Sequence, residues 1–325
     1  MPDIRYAKLR AKDPERADPA MPIMRSSRTT LRRLLFPLVV VTLLVLFILA
    51  PADLGRRISD LKGPATPKPS SPEPNNAATP AVKNAAADSG KAAVFVEARP
   101  LQNMVPVILY FAGILGPTWP IHVYHSDENL GLLNSSAAIL QHVERGSIVL
   151  HALPTTVHKF NSHDAVSEFL TDPWIWRSLG PAVTHALLFQ ADSIICGASP
   201  LRPENFFEFS FIGAPIAPQY GRGYNGGLSL RHVPTILRTI ETFKWAETRM
   251  FEDQWFATYI PKLVNPSAPP LPTVEQSKYF SVETIWADKP MGYHQAKRWN
   301  SARMSEILEW CPELTLTEAG TLYPK

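Results

Sequence analysis

Apolar and polar positions divide the chain into three stretches. Residues 34–50, LLFPLVVVTLLVLFILA, form a seventeen-residue run without a charge. As a helix it would span roughly 25 Å at 1.5 Å per residue, near the hydrocarbon thickness of the thinner membranes of the early secretory pathway. Residues 51–91, including GPATPKPSSPEPNNAATPAVKNAAADSGK, carry almost no large apolar side chain. Such a stretch cannot bury enough surface to offset the entropy of ordering, which predicts an extended tether. From Val94 onward, short apolar runs alternate with helical periodicity, and this part is predicted to fold as one domain over 92–325.

Within that domain VFVEA (94–98), IHVYHS (121–126), SIVLHAL (147–153) and the run 186–189 read as buried strands. Helices are predicted over 100–115 despite Pro106, over 135–145, and around Phe169, Trp174 and Trp176, while DEN (127–129) reads as a polar loop. Strand–helix–strand alternation predicts an α/β fold: a mainly parallel, Rossmann-like sheet with helices on both faces. Beyond it the pattern predicts short strands at 209–212 and 228–230 and helices at 233–245 and 252–263.

Charge is unevenly placed. The net charge is +3, but residues 1–33 alone hold nine Lys or Arg against four Asp or Glu, which leaves −2 for the rest. The folded part therefore has no basic face to follow nucleic-acid phosphates. A basic segment ahead of the apolar run places residues 1–33 in the cytosol and the domain in the lumen, a single-pass type II arrangement. The alternative is a cleaved signal peptide, because Ala50, Pro51 and Ala52 form an A-x-A pattern, although the charged leader is long for one. Either route delivers the domain to the lumen. There Cys196 and Cys311 would form a disulfide or stay as two buried thiols. Asn134-Ser135-Ser136 would be a glycosylation acceptor.

Candidate chemistry follows the fourth strand. Asp192 closes the segment Gln190-Ala191-Asp192 at the carboxyl edge, where open α/β sheets place their ligands. Its carboxylate suits a divalent cation on a diphosphate, or a strand-end turn. In GYNGG (223–227), Gly226 and Gly227 lack side-chain bulk, which suits a loop whose backbone approaches a bound molecule, or an Asn-Gly hairpin. Glu252 and Asp253 open a helix whose buried side is Trp255, Phe256 and Tyr259. Asp253 could be a general base and Glu252 a hydrogen-bond partner of the acceptor, or both could serve the helix dipole. His294, in KPMGYHQAKRW, reads as following a glycine turn. As a ligand beside carboxylate and phosphate oxygens it suits Mn²⁺ better than Mg²⁺; otherwise it is structural. Glu97 and Arg99, ending the first strand, are nucleotide neighbours or a surface ion pair.

The segments LLFQADSIIC, FIGAPI, GYNGGLSLR, FEDQWFATYI and PMGYH together resemble the largely fungal domain-of-unknown-function 5672 family, whose members look like GT-A glycosyltransferases. The likeness covers about residues 94–300, and NGGLSLR and FQxD are its most specific parts. It implies a GT-A-like fold and a metal-assisted glycosyltransferase of the Golgi or endoplasmic reticulum. The donor would be a nucleotide sugar, a UDP-sugar first among them, and the acceptor a glycan or glycoprotein. By position, Asp192 takes the last acid of the DxD motif, Gly226 and Gly227 the glycine loop, Asp253 the base of the xED motif, and His294 the C-terminal metal histidine. Gln190 and Asn225 belong to the same donor site, to which the position of Glu97 and Arg99 at the end of the first strand adds those two residues.

Gln190 departs from the pattern, because it stands where DxD has its first acid and offers one carboxylate fewer to Mn²⁺ or Mg²⁺. That departure motivates an alternative, a non-catalytic, membrane-tethered sugar- or nucleotide-binding protein on a degenerate GT-A fold. A metal-dependent phosphoester hydrolase fits poorly, since none of the nine histidines stands at a metal-pair spacing with an acid.

Overall fold

The computed structural model describes residues 89–154, 162–264 and 268–318, all within the compact unit Asn76–Lys325. The predicted basic tail, the membrane segment and the tether up to residue 88 lie outside the described residues. Among the described residues no helix is long and apolar enough to cross a membrane. Order begins before Val94, because Lys91, Ala92 and Ala93 already pair with the neighbouring strand.

The strands are β1 (Lys91–Glu97), β2 (Ile121–His125), β3 (Ile148–Ala152), β4 (His185–Phe189), β5 (Ser193–Ile195), β6 (Phe211–Pro215), β7 (Tyr224–His232), β8 (Ser281–Val282) and β9 (Gly292–His294). Six form one sheet in the order β3-β2-β1-β4-β7-β6. The first four are mutually parallel, and β7 and β6 each run antiparallel to their neighbour. The other three form a small sheet, β5-β9-β8.

The helices are α1 (Met104–Leu115), α2 (Asp127–Asn134), α3 (Ala137–Glu144), α4 (His163–Leu170), α5 (Pro173–Arg177), α6 (Val233–Thr242), α7 (Glu252–Tyr259), α8 (Val274–Phe280), α9 (Ala296–Trp299) and α10 (Met304–Trp310). Because side chains alternate along a strand, the large sheet feeds two cores. Ala93, Phe95, Leu187 and Phe189 pack with Val107 and Phe111 of α1. Ala92, Val94, Ala186 and Leu188 pack with Trp176, Ile236 and Trp255 from α5, α6 and α7. The sheet is thus covered on both faces, as its apolar strands require.

Three local expectations are corrected. DEN is the first turn of α2, because the Ser126 hydroxyl accepts the Asn129 N–H at 3.3 Å and Asp127 and Glu128 sit at the positive helix end. The helix expected around Phe169 and the two tryptophans is split at Pro173, where Asp172 caps α5 through the Trp174 N–H at 2.7 Å. The glycine turn before His294 is strand β9; a Cβ on Gly292 would collide with the Ile194 carbonyl across the pair. The cysteines are joined as a Cys196–Cys311 disulfide, both buried. Asn134 ends α2 and is exposed.

Candidate functional site

The strand order reverses between β1 and β4: β1 continues to β2 on one side while β4 lies on the other. Such a switch point opens a crevice beyond the carboxyl ends of the strands. A cleft of about 500 Å³ opens here, lined by Glu97 and Arg99 after β1, Gln190 and Asp192 after β4, and Gln295. Five residues widely spaced in the sequence therefore share one wall because of topology.

Glu97 and Arg99 form the ion pair of one sequence reading, and both line the cleft. Arg99 Nε and Nη2 donate to Glu97 Oε1 and Oε2 at 2.9 and 2.8 Å, and the Arg99 backbone N–H donates to Oε1 at 2.8 Å. Glu97 is 6 % exposed, whereas the Arg99 side chain is 64 % exposed. The carboxylate is consumed in holding the guanidinium, so Arg99 is the member that offers donors to the cleft.

His294 is the centre of the second group. β9 runs antiparallel to β5 with His294 opposite Ser193, which brings the imidazole beside the segment that leaves β4. Its Nε2 stands 3.3 Å from Asp192 Oδ1 and 3.2 Å from Gln190 Oε1, and its Nδ1 stands 3.3 Å from Glu283 Oε1. Burial alone would lower the imidazole pKa, but the hydrogen bonds and charges of Asp192 and Glu283 outweigh it and raise it to about 9. For Asp192, burial pushes upward, and His294 with Gln295 pulls the carboxyl below its ordinary value. Gln295 holds this acid twice, through its backbone N–H to the Asp192 carbonyl at 3.0 Å and its Nε2 to Oδ2 at 3.0 Å.

The GYNGG segment is strand rather than loop. It forms the start of β7, with an irregularity in its pairing to β6 at Gly213 and Ala214. Asn225 Oδ1 accepts the Gly227 N–H at 2.7 Å inside this bulge. Its missing side chains make room for this chain's own groups: a Cβ on Gly227 would run into the His294 ring, and one on Gly226 would lie 2.8 Å from Arg231 Nη2 and Glu252 Oε1.

Behind the bulge, Asp253 Oδ2 accepts the Gly226 N–H at 2.9 Å and Oδ1 accepts the Gln254 N–H at 2.7 Å. Burial, then the neighbouring Glu252 charge, pushes the Asp253 carboxyl up to about 7, against those two N–H bonds and Arg231. Glu252, expected to reach an acceptor, turns inward instead: it is 6 % exposed and pairs with the fully buried Arg231 at 2.9 Å. The Arg231 guanidinium sits within 5.0–5.6 Å of the Trp176, Phe211 and Phe256 ring centroids. Asn225, Gly226, Gly227, Glu252 and Asp253 thus form a layer outside the lining of the cleft.

Sequence reasoning missed Glu283, Gln295 and Arg231. Arg231 had a signal, a charge at the end of the apolar alternation GGLSLR. Glu283 and Gln295 had none, because each gains its role from a partner set by sheet pairing.

Among the described residues no group of three His, Cys, Asp or Glu side chains is arranged to hold a metal. The donors that do converge are one carboxylate, one imidazole nitrogen and the Gln190 amide oxygen, with Glu283 on the far ring nitrogen as carboxylates commonly stand behind ligating histidines. A hard or borderline divalent cation is the kind such a mixed oxygen–nitrogen set would suit, and it would have to displace the proton that Asp192 and Glu283 hold on the His294 ring.

The model of the family described as a protein of unknown function, DUF5672, matches residues 148–294. That span runs from β3 to His294 and holds Gln190, Asp192, the bulge, Glu252, Asp253 and Glu283. No curated protein matches the chain. Among solved structures, the glycosyltransferase GlyE of Streptococcus pneumoniae TIGR4 is similar with a TM-score of 0.36 and 15% identity over 63% of this chain. The likeness spans 55% of that protein, little more than half its length. A glycosyltransferase involved in the glycosylation of the major capsid of PBCV-1 gives a TM-score of 0.39 and 12% identity, over 66% of this chain and 99% of that one.

Proposed function

We propose that the chain is a glycosyltransferase that moves a sugar from a nucleotide-sugar donor, a UDP-sugar first, to an acceptor hydroxyl. One observation carries the reading: Asp192 and Gln190 line the switch-point cleft, where the diphosphate of a donor seated beside Arg99 would lie, and the buried His294 stands directly behind both. Asp192, His294 Nε2 and the Gln190 amide oxygen would hold a Mn²⁺ or Mg²⁺ ion, which supplies positive charge against the diphosphate. Arg99 adds a fixed cation on the same wall.

Asp253, with its pKa raised to about 7, is the base of this reading, which requires the bulge at 225–227 to move aside, because the acid stands behind it with both oxygens on backbone N–H groups. The acceptor O–H gives its proton to the Asp253 carboxylate, and the acceptor oxygen bonds to the anomeric carbon. The bond from that carbon to the diphosphate oxygen breaks, and the nucleoside diphosphate leaves with the electron pair. The stereochemistry in this scheme is inversion. The domain would work in the lumen of the Golgi or endoplasmic reticulum, anchored by residues 34–50.

A second reading, a non-catalytic sugar or nucleotide binder, is favoured by Gln190 and by the direct Asp192–His294 pairing, which already neutralises the one acid of the motif. One experiment separates them. The full-length chain in detergent is incubated with UDP-, GDP- and CMP-sugars, with Mn²⁺ or with chelator, beside an Asp192→Ala control. Nucleotide release from one donor that depends on Asp192 is the expected result. Binding of a nucleotide with no release from any donor would overturn the enzyme in favour of the binder.

A further inference from the structure

Tyr220 is the most exposed aromatic ring among the described residues, at 54 %, and it is held rather than loose. Its loop, between β6 and β7, is anchored at three places, each one residue or one turn from the site. The Ala217 N–H donates to the Thr284 hydroxyl at 2.9 Å, next to Glu283. Gly221, at a positive φ of 146°, packs on the Gln254 side chain, and the Arg222 N–H donates to Gln254 Oε1 at 3.3 Å, next to Asp253. The Tyr220 ring lies 4.7 Å from the ring of Trp299, a residue whose backbone N–H donates to the Gln295 carbonyl at 3.2 Å.

Arg298 completes the ledge. Its guanidinium lies 4.7 Å from the Trp299 ring centroid, and Nη1 donates to Gln295 Oε1 at 3.0 Å. An exposed ring, a second ring behind it and a planar cation with spare N–H groups make a surface with an apolar face and a polar rim. A pyranose has the complementary build, with C–H groups on one face and hydroxyls around the edge. Aromatic faces take the former and the guanidinium fork the latter. Pinning the loop in advance lowers the ordering cost of capturing such a ligand.

We propose that Tyr220, Trp299 and Arg298 form the acceptor subsite and that the acceptor is a glycan whose terminal sugar stacks on Tyr220. The word acceptor rests on the transferase reading; the sugar-binding ledge does not.

The test uses the full-length chain in detergent and saturation-transfer NMR. The probes are methyl glycosides of glucose, galactose, mannose and N-acetylglucosamine, their disaccharides, and a Ser/Thr peptide. At least one glycoside should receive saturation at its ring C–H protons, Tyr220→Ala should weaken it about tenfold, and Tyr220→Phe should retain it. Binding of no glycoside, equal binding to Tyr220→Ala, or Tyr220-dependent binding of the peptide alone would overturn the proposal. Tyr220-dependent glycoside binding in a protein that releases no nucleotide from any donor would leave the sugar site standing and sink only the transferase.

Discussion

Gly227 is glycine because of His294: a side chain at 227 would occupy the place of the imidazole ring. Replacing Gly227 by Ala should therefore displace His294 and destabilise the fold by roughly 1–3 kcal/mol, the usual range for overpacking. In a His294→Ala background the same change should cost much less. Urea denaturation of the two single variants and the double variant measures the difference, and additive costs would refute the coupling.

Arg231 and Glu252 form a buried pair inside an aromatic box, with Arg231 Nη1 and Glu252 Oε2 lacking hydrogen-bond partners among the described residues. Glu252→Ala leaves the guanidinium charge uncompensated and should lower stability by about 3–5 kcal/mol. Arg231→Met combined with Glu252→Leu should lose far less, because no charge stays buried. Thermal melts of the three proteins decide this.

The His294 pKa, raised to about 9 from an unfolded 6.5, sets a sign for alkaline stability. The folded state keeps a proton that the unfolded chain has released, so the stabilisation is complete below 6.5 and is lost as pH rises through 9. The slope between pH 7.5 and 9 should approach a loss of about 1.4 kcal/mol per unit. Melting curves of His294→Gln should be flatter over that window, and Glu283→Gln should move the loss to lower pH.

Asp253 gives the same sign at lower pH. Its carboxyl titrates near 7 in the fold against 3.8 in the unfolded chain, so its proton stabilises fully below 3.8 and that gain is lost as pH climbs through 7. Relative to the native chain, Asp253→Asn should gain in melting temperature from pH 5 to pH 8. A constant offset would show that the acid is ionised throughout. In an activity assay the same variant should lose transfer and keep nucleotide binding.

The Cys196–Cys311 bridge joins the end of β5 to the residue after α10 across 115 positions. Reduction, or Cys196→Ser with Cys311→Ser, should cost on the order of 4 kcal/mol by the chain-entropy argument. Calorimetry with and without reductant reads this directly.

The parallel half of the fold was legible because its strands are nearly continuous apolar runs, such as Ala186–Phe189, bounded by clear breaks. The start of β7 was not. Asn-Gly-Gly carries a turn signature, and only pairing with β6 and the needs of His294 and Arg231 make it a bulged strand. In the site, Asp192 and His294 could be picked out because an acid ends a buried strand and a histidine follows a distinctive PMGY. Their closeness could not be seen, since it comes from β5 pairing with β9. Glu252 was misjudged for a related reason: an acid opening a helix reads as exposed, and its buried partner, Arg231, lies 21 residues earlier in β7.

Strand β4 of the large sheet ends at Phe189 and β5 of the small one starts at Ser193, so Gln190, Ala191 and Asp192 are a splice between the two sheets. His294 reaches that splice from the small sheet, whereas Arg99 reaches the cleft from the large one. A molecule gripped by both would span the junction like a staple across a seam. The cleft opens at the place where the two sheets are sewn together.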